Sequence, residues 1–164
     1  PQPVYLTLYA MQQAAARGTG SSLAGEFGKY SIATKTGTTN DLRDSWFAGI
    51  DGKEVVIAWV GRDNNQQANL TGANGALNLF RRYMQNQTPM KLDLRPPEGI
   101  NTMSLDNEGF FTCETTNRVI PAWINDPQVF CMMSQKQEPP ISSNNQPVKE
   151  ESGGFSGWLK DLFS

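Results

Sequence analysis

The sequence predicts an α+β fold, an antiparallel sheet covered by helices. Three observations predict it. Two segments repeat apolar residues at helical spacing; strand-like runs lie between them; and Asp51-Gly52 joins two of those runs in the strongest short-range hairpin signal.

Val4 to Arg17 opens the chain, with Val4, Leu8, Met11 and Ala15 near a helical period. Gly18-Thr19-Gly20 stops this helix, and Arg17 suits its negative end. Gly20 to Tyr30 reads as a loop. Ser31 to Thr36 reads as a short strand rich in β-branched residues that ends at Gly37. The hairpin follows, Ser45–Ile50 and Val55–Val60. The second run is apolar almost throughout, as expected of a central strand covered on both faces. Trp46 and Trp59 are expected in the core. Ala73, Ala76, Leu77, Phe80, Tyr83 and Met84 then mark a helix with one buried stripe.

Residues 1–88 thus form one region. Pro89, Pro96 and Pro97 punctuate its exit, and Phe110-Phe111 and Val119-Ile120 suggest a small β-rich appendage over 89–133. Residues 134–154, rich in Gln, Ser, Asn, Pro and Glu, read as a disordered linker. Residues 155–164 place Phe155, Trp158, Leu159, Leu162 and Phe163 on one stripe of a terminal amphipathic helix. That stripe suits a protein groove or docking on the same protein better than anionic lipid, because Lys160 and Asp161 leave no cationic excess.

Composition removes whole classes of function. Among 164 residues there is no histidine, which excludes a Ser-His-Asp or Cys-His triad within the chain and argues against zinc. The net charge of −2 gives no basic footprint for nucleic acid. No run approaches the ~20 apolar residues of a membrane span. No metal or cofactor is expected. The start at Pro1, without methionine, points to a piece of a longer protein. Cys113 and Cys131 leave two readings open, a disulfide or two unrelated thiols.

The chemistry-bearing motif is Lys35-Thr36-Gly37-Thr38. Side chains alternate along a strand, so Lys35 and position 37 share a face, and glycine leaves room there for a substrate backbone to pair with the strand. The ammonium group can hold a carboxylate or lower the pKa of a nearby hydroxyl. The Thr36 and Thr38 hydroxyls can donate to that carboxylate, and the Thr38 backbone N–H is a candidate oxyanion donor. As a bare tripeptide the motif is weak, and a surface lysine beside a turn is the commoner meaning.

Its surroundings are more specific. K-T-G belongs with S-x-x-K and S-D-N to the motif set of penicillin-binding proteins and class A β-lactamases. The chain also carries Tyr5-Leu6-Thr7-Leu8-Tyr9 with Met11-Gln12-Gln13, then Arg17-Gly18-Thr19-Gly20 and Lys35-Thr36-Gly37-Thr38-Thr39-Asn40. Ser45-Trp46-Phe47-Ala48-Gly49-Ile50-Asp51-Gly52 and Trp59-Val60-Gly61-Arg62-Asp63-Asn64-Asn65 follow. Arg82-Tyr83, Asn86-Gln87-Thr88-Pro89 and the closing Gly157-Trp158-Leu159-Lys160-Asp161-Leu162-Phe163 complete the pattern. With these stretches the chain resembles the bifunctional class A penicillin-binding proteins over nearly its whole length apart from the linker.

The resemblance implies a penicillin-binding transpeptidase fold, similar to serine β-lactamases and here partial. It implies a DD-transpeptidase that cross-links peptidoglycan stem peptides ending in D-Ala-D-Ala through a serine acyl-enzyme and is inhibited by β-lactam antibiotics. Lys35 would orient the serine network and attract the substrate carboxylate. Thr36, Gly37 and Thr38 would bind substrate, and Thr38 would supply an oxyanion N–H. The parent would also be a glycosyltransferase and sit on the periplasmic face of the inner membrane with its anchor outside this chain, and it could form a homodimer. A Cys113–Cys131 disulfide fits that compartment.

Two departures matter. Thr34 stands where the family usually has glycine. No Ser is followed at the third position by Lys, since Ser31 and Ser156 have lysine one residue late. Ser142-Ser143-Asn144 and Ser143-Asn144-Asn145 spell S-x-N, but inside the linker and after the lysine motif. The nucleophile and the S-x-N motif are therefore expected from an upstream segment of the same protein, and this chain alone is expected to be inactive. Arg62-Asp63 could line the cleft or form a local ion pair in a turn. The competing reading of the whole is a non-catalytic binding module presenting an edge strand and a tail helix.

Overall fold

The computed structural model describes residues 1–135 and is α+β, with helices and two three-stranded antiparallel sheets. The linker, the terminal helix and both S-x-N spellings, apart from residues 134 and 135, fall outside the described residues. Two compact units are present. One holds Thr7–Leu94; the other holds Pro1–Leu6 with the stretch that starts at Arg95. Helix α1, Gln2–Arg17, begins in the second and ends in the first. Val4 lies 63% exposed on it.

In the first unit, 3₁₀ turns and the short α2 (Ala24–Phe27) fill the loop after α1. Strands β1 (Ala33–Thr38), β2 (Ser45–Ile50) and β3 (Val55–Val60) form a sheet in the order β1-β2-β3. Strand β1 thus lies two residues later than its expected range. Ser31, with φ of 51°, is in a left-handed turn and cannot continue a ladder. Asp51–Glu54 close the β2–β3 hairpin, with Asp51 N–H donating to Glu54 O at 3.1 Å.

Helix α3 (Ala76–Gln85) packs on one face of this sheet. Ala76, Leu77, Phe80 and Met84 turn inward, and the Phe80 and Phe47 rings meet at 4.9 Å. Gly49 makes room for this pair, since a Cβ there would lie 2.3 Å from Phe80 ring atoms. Leu23, Phe27 and Ile32 complete the core. The helix starts after Ala73, and Tyr83 leaves the expected stripe. It is 40% exposed and its hydroxyl donates to Glu54 at 3.0 Å.

The far end of α3 is held by a residue distant in sequence. Buried Ser45 Oγ donates to Thr71 O at 2.7 Å and accepts the first helical N–H, from Ala76, at 2.8 Å. It acts as a cap supplied by a strand.

Strand β3 is an edge of this sheet among the described residues, not the covered centre its apolar run suggested. Val55 and Ile57 are 63% and 65% exposed. Trp46 and Trp59 are half-exposed rather than core residues. Both lie on the sheet face opposite α3, where no described element covers them. Apolar content along a strand reports that something buries it, and here α3 buries only one face.

The second unit has β4 (Ile100–Leu105) between β5 (Phe111–Thr112) and β6 (Val119–Trp123). Met103 and Ala122 are its buried apolar residues. Helix α4, Pro127–Gln135, follows, where the sequence suggested the end of a β-rich appendage and the start of the linker. Asp126 starts it by accepting the Gln128 N–H at 2.8 Å. Cys113 and Cys131 form a disulfide that ties the end of β5 to α4, with Cα atoms 5.7 Å apart.

Candidate active site

The register of the sheet arranges the motif. Lys35 pairs with Ala48, and Ala48 with Ile57; Gly37 pairs with Trp46, and Trp46 with Trp59. Pairs across adjacent strands share a face, so Lys35 stands on the face that carries the exposed Trp46–Trp59 pair. The indole rings are 6.2 Å apart, and Trp59 Nε1 donates to Asp44 at 3.0 Å. Gly37 lies close to this neighbour: a Cβ there would sit 3.1 Å from Trp46 Cβ, tighter than ordinary contact.

Among the described residues, strand β1 has one paired side and one open side. Thr39 N–H donates to Asp44 O at 3.1 Å, which turns odd-numbered amides of this stretch toward β2. By alternation the Thr36 and Thr38 backbone groups face the open edge. Lys35 Nζ is at that edge too, donating to Thr36 O at 2.7 Å. The ammonium carries three donors, so two remain for incoming groups. An extended peptide laid along this edge would meet the Thr38 N–H, the Thr36 carbonyl and the Lys35 charge.

The threonine hydroxyls lie on the other face. Thr36 Oγ1 and Thr19 Oγ1 are 3.0 Å apart, and Thr38 Oγ1 accepts the Gly72 N–H at 3.0 Å. Thr38 thereby keeps its own proton to donate. Thr34, the departure from the family pattern, is buried, and its hydroxyl fills the space left by Gly20. A Cβ on Gly20 would fall within 2.4 Å of Thr34 Oγ1. The larger residue in the strand is accommodated by a missing side chain in the turn.

Thr19 and Gly72 were not singled out as site residues in the sequence. Thr19 reads there as part of a helix stop; the signal was its place between two glycines, which allow a backbone to come close. Arg62 and Asp63 form no ion pair among the described residues. Nor do the described residues hold a cluster of three or more metal-ligating side chains, or a helix long and apolar enough to cross a membrane.

K-T-G, here on a strand at a sheet edge backed by a hairpin and a helix, is one of the motifs of penicillin-binding proteins and class A β-lactamases. Comparison with known proteins defines the class further. Residues 99–135, which run from just before β4 through α4, match the family described as penicillin-binding protein 1B, C-terminal domain. The chain is 45% identical to penicillin-binding protein 1B of Escherichia coli K12 across 99% of its own length and 21% of that protein. It is 41% identical to penicillin-binding protein 1B of Vibrio cholerae over 99% of the chain and 19% of the relative. For the Haemophilus influenzae protein of that name the figures are 39%, 91% and 19%. The chain is thus similar over nearly its whole length to a C-terminal region of penicillin-binding protein 1B, and spans about a fifth of the length of these relatives.

Proposed function

We propose that the chain contributes one wall of a serine DD-transpeptidase site in a longer peptidoglycan synthase. The observation that carries this reading is the shared open edge of Lys35 Nζ and the Thr38 backbone N–H. The upstream segment would supply the S-x-x-K serine and the S-x-N motif. Its Oγ attacks the carbonyl of the penultimate D-Ala of a stem peptide, and the terminal D-Ala leaves as the amine. An amine of a second stem then attacks the ester and restores the serine. The Thr38 N–H would stabilise the oxyanion, Lys35 would attract the terminal carboxylate and orient the serine network, and the Thr36 and Thr38 hydroxyls would fix that carboxylate. A β-lactam presents the same carboxylate and carbonyl, and stops at the acyl-enzyme.

The uncovered sheet face of Trp46, Trp59, Val55 and Ile57 supports the dependence on an upstream segment, since a surface of that kind marks an interface. The relatives are named penicillin-binding proteins, which supports a parent that works in peptidoglycan synthesis. Glycosyl transfer elsewhere in the parent, and a periplasmic position at the inner membrane, rest on the class; the disulfide favours the oxidising compartment.

Fluorescent penicillin labelling tests the reading. The full-length parent should label, and Lys35→Ala should slow labelling by about a hundredfold or more. This chain alone should remain unlabelled. A parent that stays dark where a known transpeptidase labels overturns the proposal.

A further inference from the structure

Residues 70–75, just ahead of α3, lie against the ends of β1 and β2 on the α3 face of the sheet. Gly37 and Trp46 pair across those strands and turn their side-chain positions to the opposite face, so only their backbone is met here. Buried Gly72 rests on that backbone. A Cβ on it would fall 2.6 Å from Trp46 O and 2.9 Å from both Gly37 N and Gly37 O. Gly72 does not have a positive φ, so glycine stands there for space and not for backbone conformation. Main-chain atoms of a paired ladder cannot swing aside as the tip of a side chain can.

The segment is tied down on either side of Gly72. Ser45 Oγ donates to Thr71 O, and Thr71 and Asn74 bond to each other: the Thr71 N–H reaches Asn74 Oδ1 at 2.7 Å, and the Asn74 N–H reaches Thr71 Oγ1 at 3.3 Å. Gly75 approaches Ser45 as closely, since a Cβ there would lie 2.6 Å from Ser45 Oγ. Held in this way, the Gly72 N–H meets Thr38 Oγ1 at 3.0 Å. A threonine hydroxyl has one proton, which turns about the Cβ–Oγ bond, and two lone pairs. With one lone pair engaged by Gly72, the proton cannot point at the segment and is left for an incoming acceptor.

We infer that Gly72 is a positioning residue for the substrate carboxylate. Its N–H orients the Thr38 hydroxyl as a donor, and its missing side chain lets the segment come close enough to do so. The role rests on the transpeptidase reading above, which gives Thr38 its carboxylate. It adds a residue 34 positions further along the chain, which nothing in the K-T-G spelling signals.

The test is a double-mutant cycle in the full-length parent, read by acylation with a fluorescent penicillin over a range of concentrations. Gly72→Ala should lower acylation efficiency about tenfold, with the loss in apparent affinity and the limiting rate little changed. Thr38→Val should cost at least as much. Added to Thr38→Val, Gly72→Ala should cost less than about twofold more, because the hydroxyl it acts through is already gone. A merely structural role would let the two losses multiply, and that result, or an unchanged affinity in Gly72→Ala, would overturn the inference. Should Gly72→Ala fail to fold, Asn74→Ala carries the same cycle. It loosens the segment without placing an atom in the sheet, and should cost about threefold alone and nothing beside Thr38→Val. An unsubstituted parent that does not label sinks the transpeptidase reading and this role with it. A parent that labels while the losses multiply sinks only the role of Gly72.

Discussion

Thr19 and Thr36 meet hydroxyl to hydroxyl at 3.0 Å, joining the turn after the first helix to the middle of the K-T-G strand. Gly20 permits this closeness by giving its side-chain space to Thr34. In the proposed site this contact would make Thr19 a positioning residue, holding the Thr36 hydroxyl from the face opposite Lys35.

In the full-length parent, Thr19→Val should therefore lower the rate of penicillin acylation by up to about tenfold, the worth of one hydrogen bond. Thr19→Ser should restore it. Acylation rates measured against penicillin concentration check this, with the loss expected in apparent affinity for the carboxylate-bearing β-lactam. A valine variant with unchanged affinity would show that Thr36 needs no such support.

Asp51 is buried in the hairpin and accepts N–H groups from Lys53, Glu54 and Met90 at 2.9, 2.8 and 2.8 Å. Burial pushes its carboxyl pKa up, but the three backbone donors and the Lys53 charge together outweigh it, and the net shift is downward from 3.8. A lowered folded-state pKa means that the charged form stabilises the fold. That stability is present above the unfolded pKa and is lost as pH falls through the folded one. Urea midpoints of this chain should drop between about pH 5 and pH 2. Asp51→Asn should flatten part of that drop and cost about 1–3 kcal/mol near neutrality, since the amide nitrogen cannot accept the Met90 N–H.

The Cys113–Cys131 bond closes a separation of 18 residues around a sheet with little buried apolar area. Constraining the unfolded chain over such a loop contributes about 3 kcal/mol. Reduction should lower the thermal midpoint of the second unit. Hydrogen exchange in β4 to α4 should speed up, while β1 to α3 keep their protection. Intact mass with and without reductant, after alkylation, reports the bond itself.

The elements legible beforehand were those with local causes. Helical spacing marked α1 and α3, and Asp51-Gly52 between apolar runs marked the hairpin. Strand β1 slipped by two residues because its start is set by the left-handed turn at Ser31, for which serine carries no strong signal. Trp46 and Trp59 escaped because an apolar side chain does not say whether its cover lies in the same stretch of chain. Helix α4 carries a weak pattern, and its tie to β5 through Cys131 is a long-range contact.

By itself the sequence determined the α+β class, the motif strand, the lack of an S-x-x-K spelling within the 164 residues and the family the chain resembles, because each is written in composition or in residues close together. The tertiary structure decided what no local pattern encodes. It brought Thr19 to Thr36, Gly72 to Thr38 and Ser45 to the start of α3, and it left the Lys35 face of the sheet uncovered among the described residues. These depend on strand register and on close approaches between distant segments, whose geometry is fixed only when the core around Phe47 and Phe80 has packed.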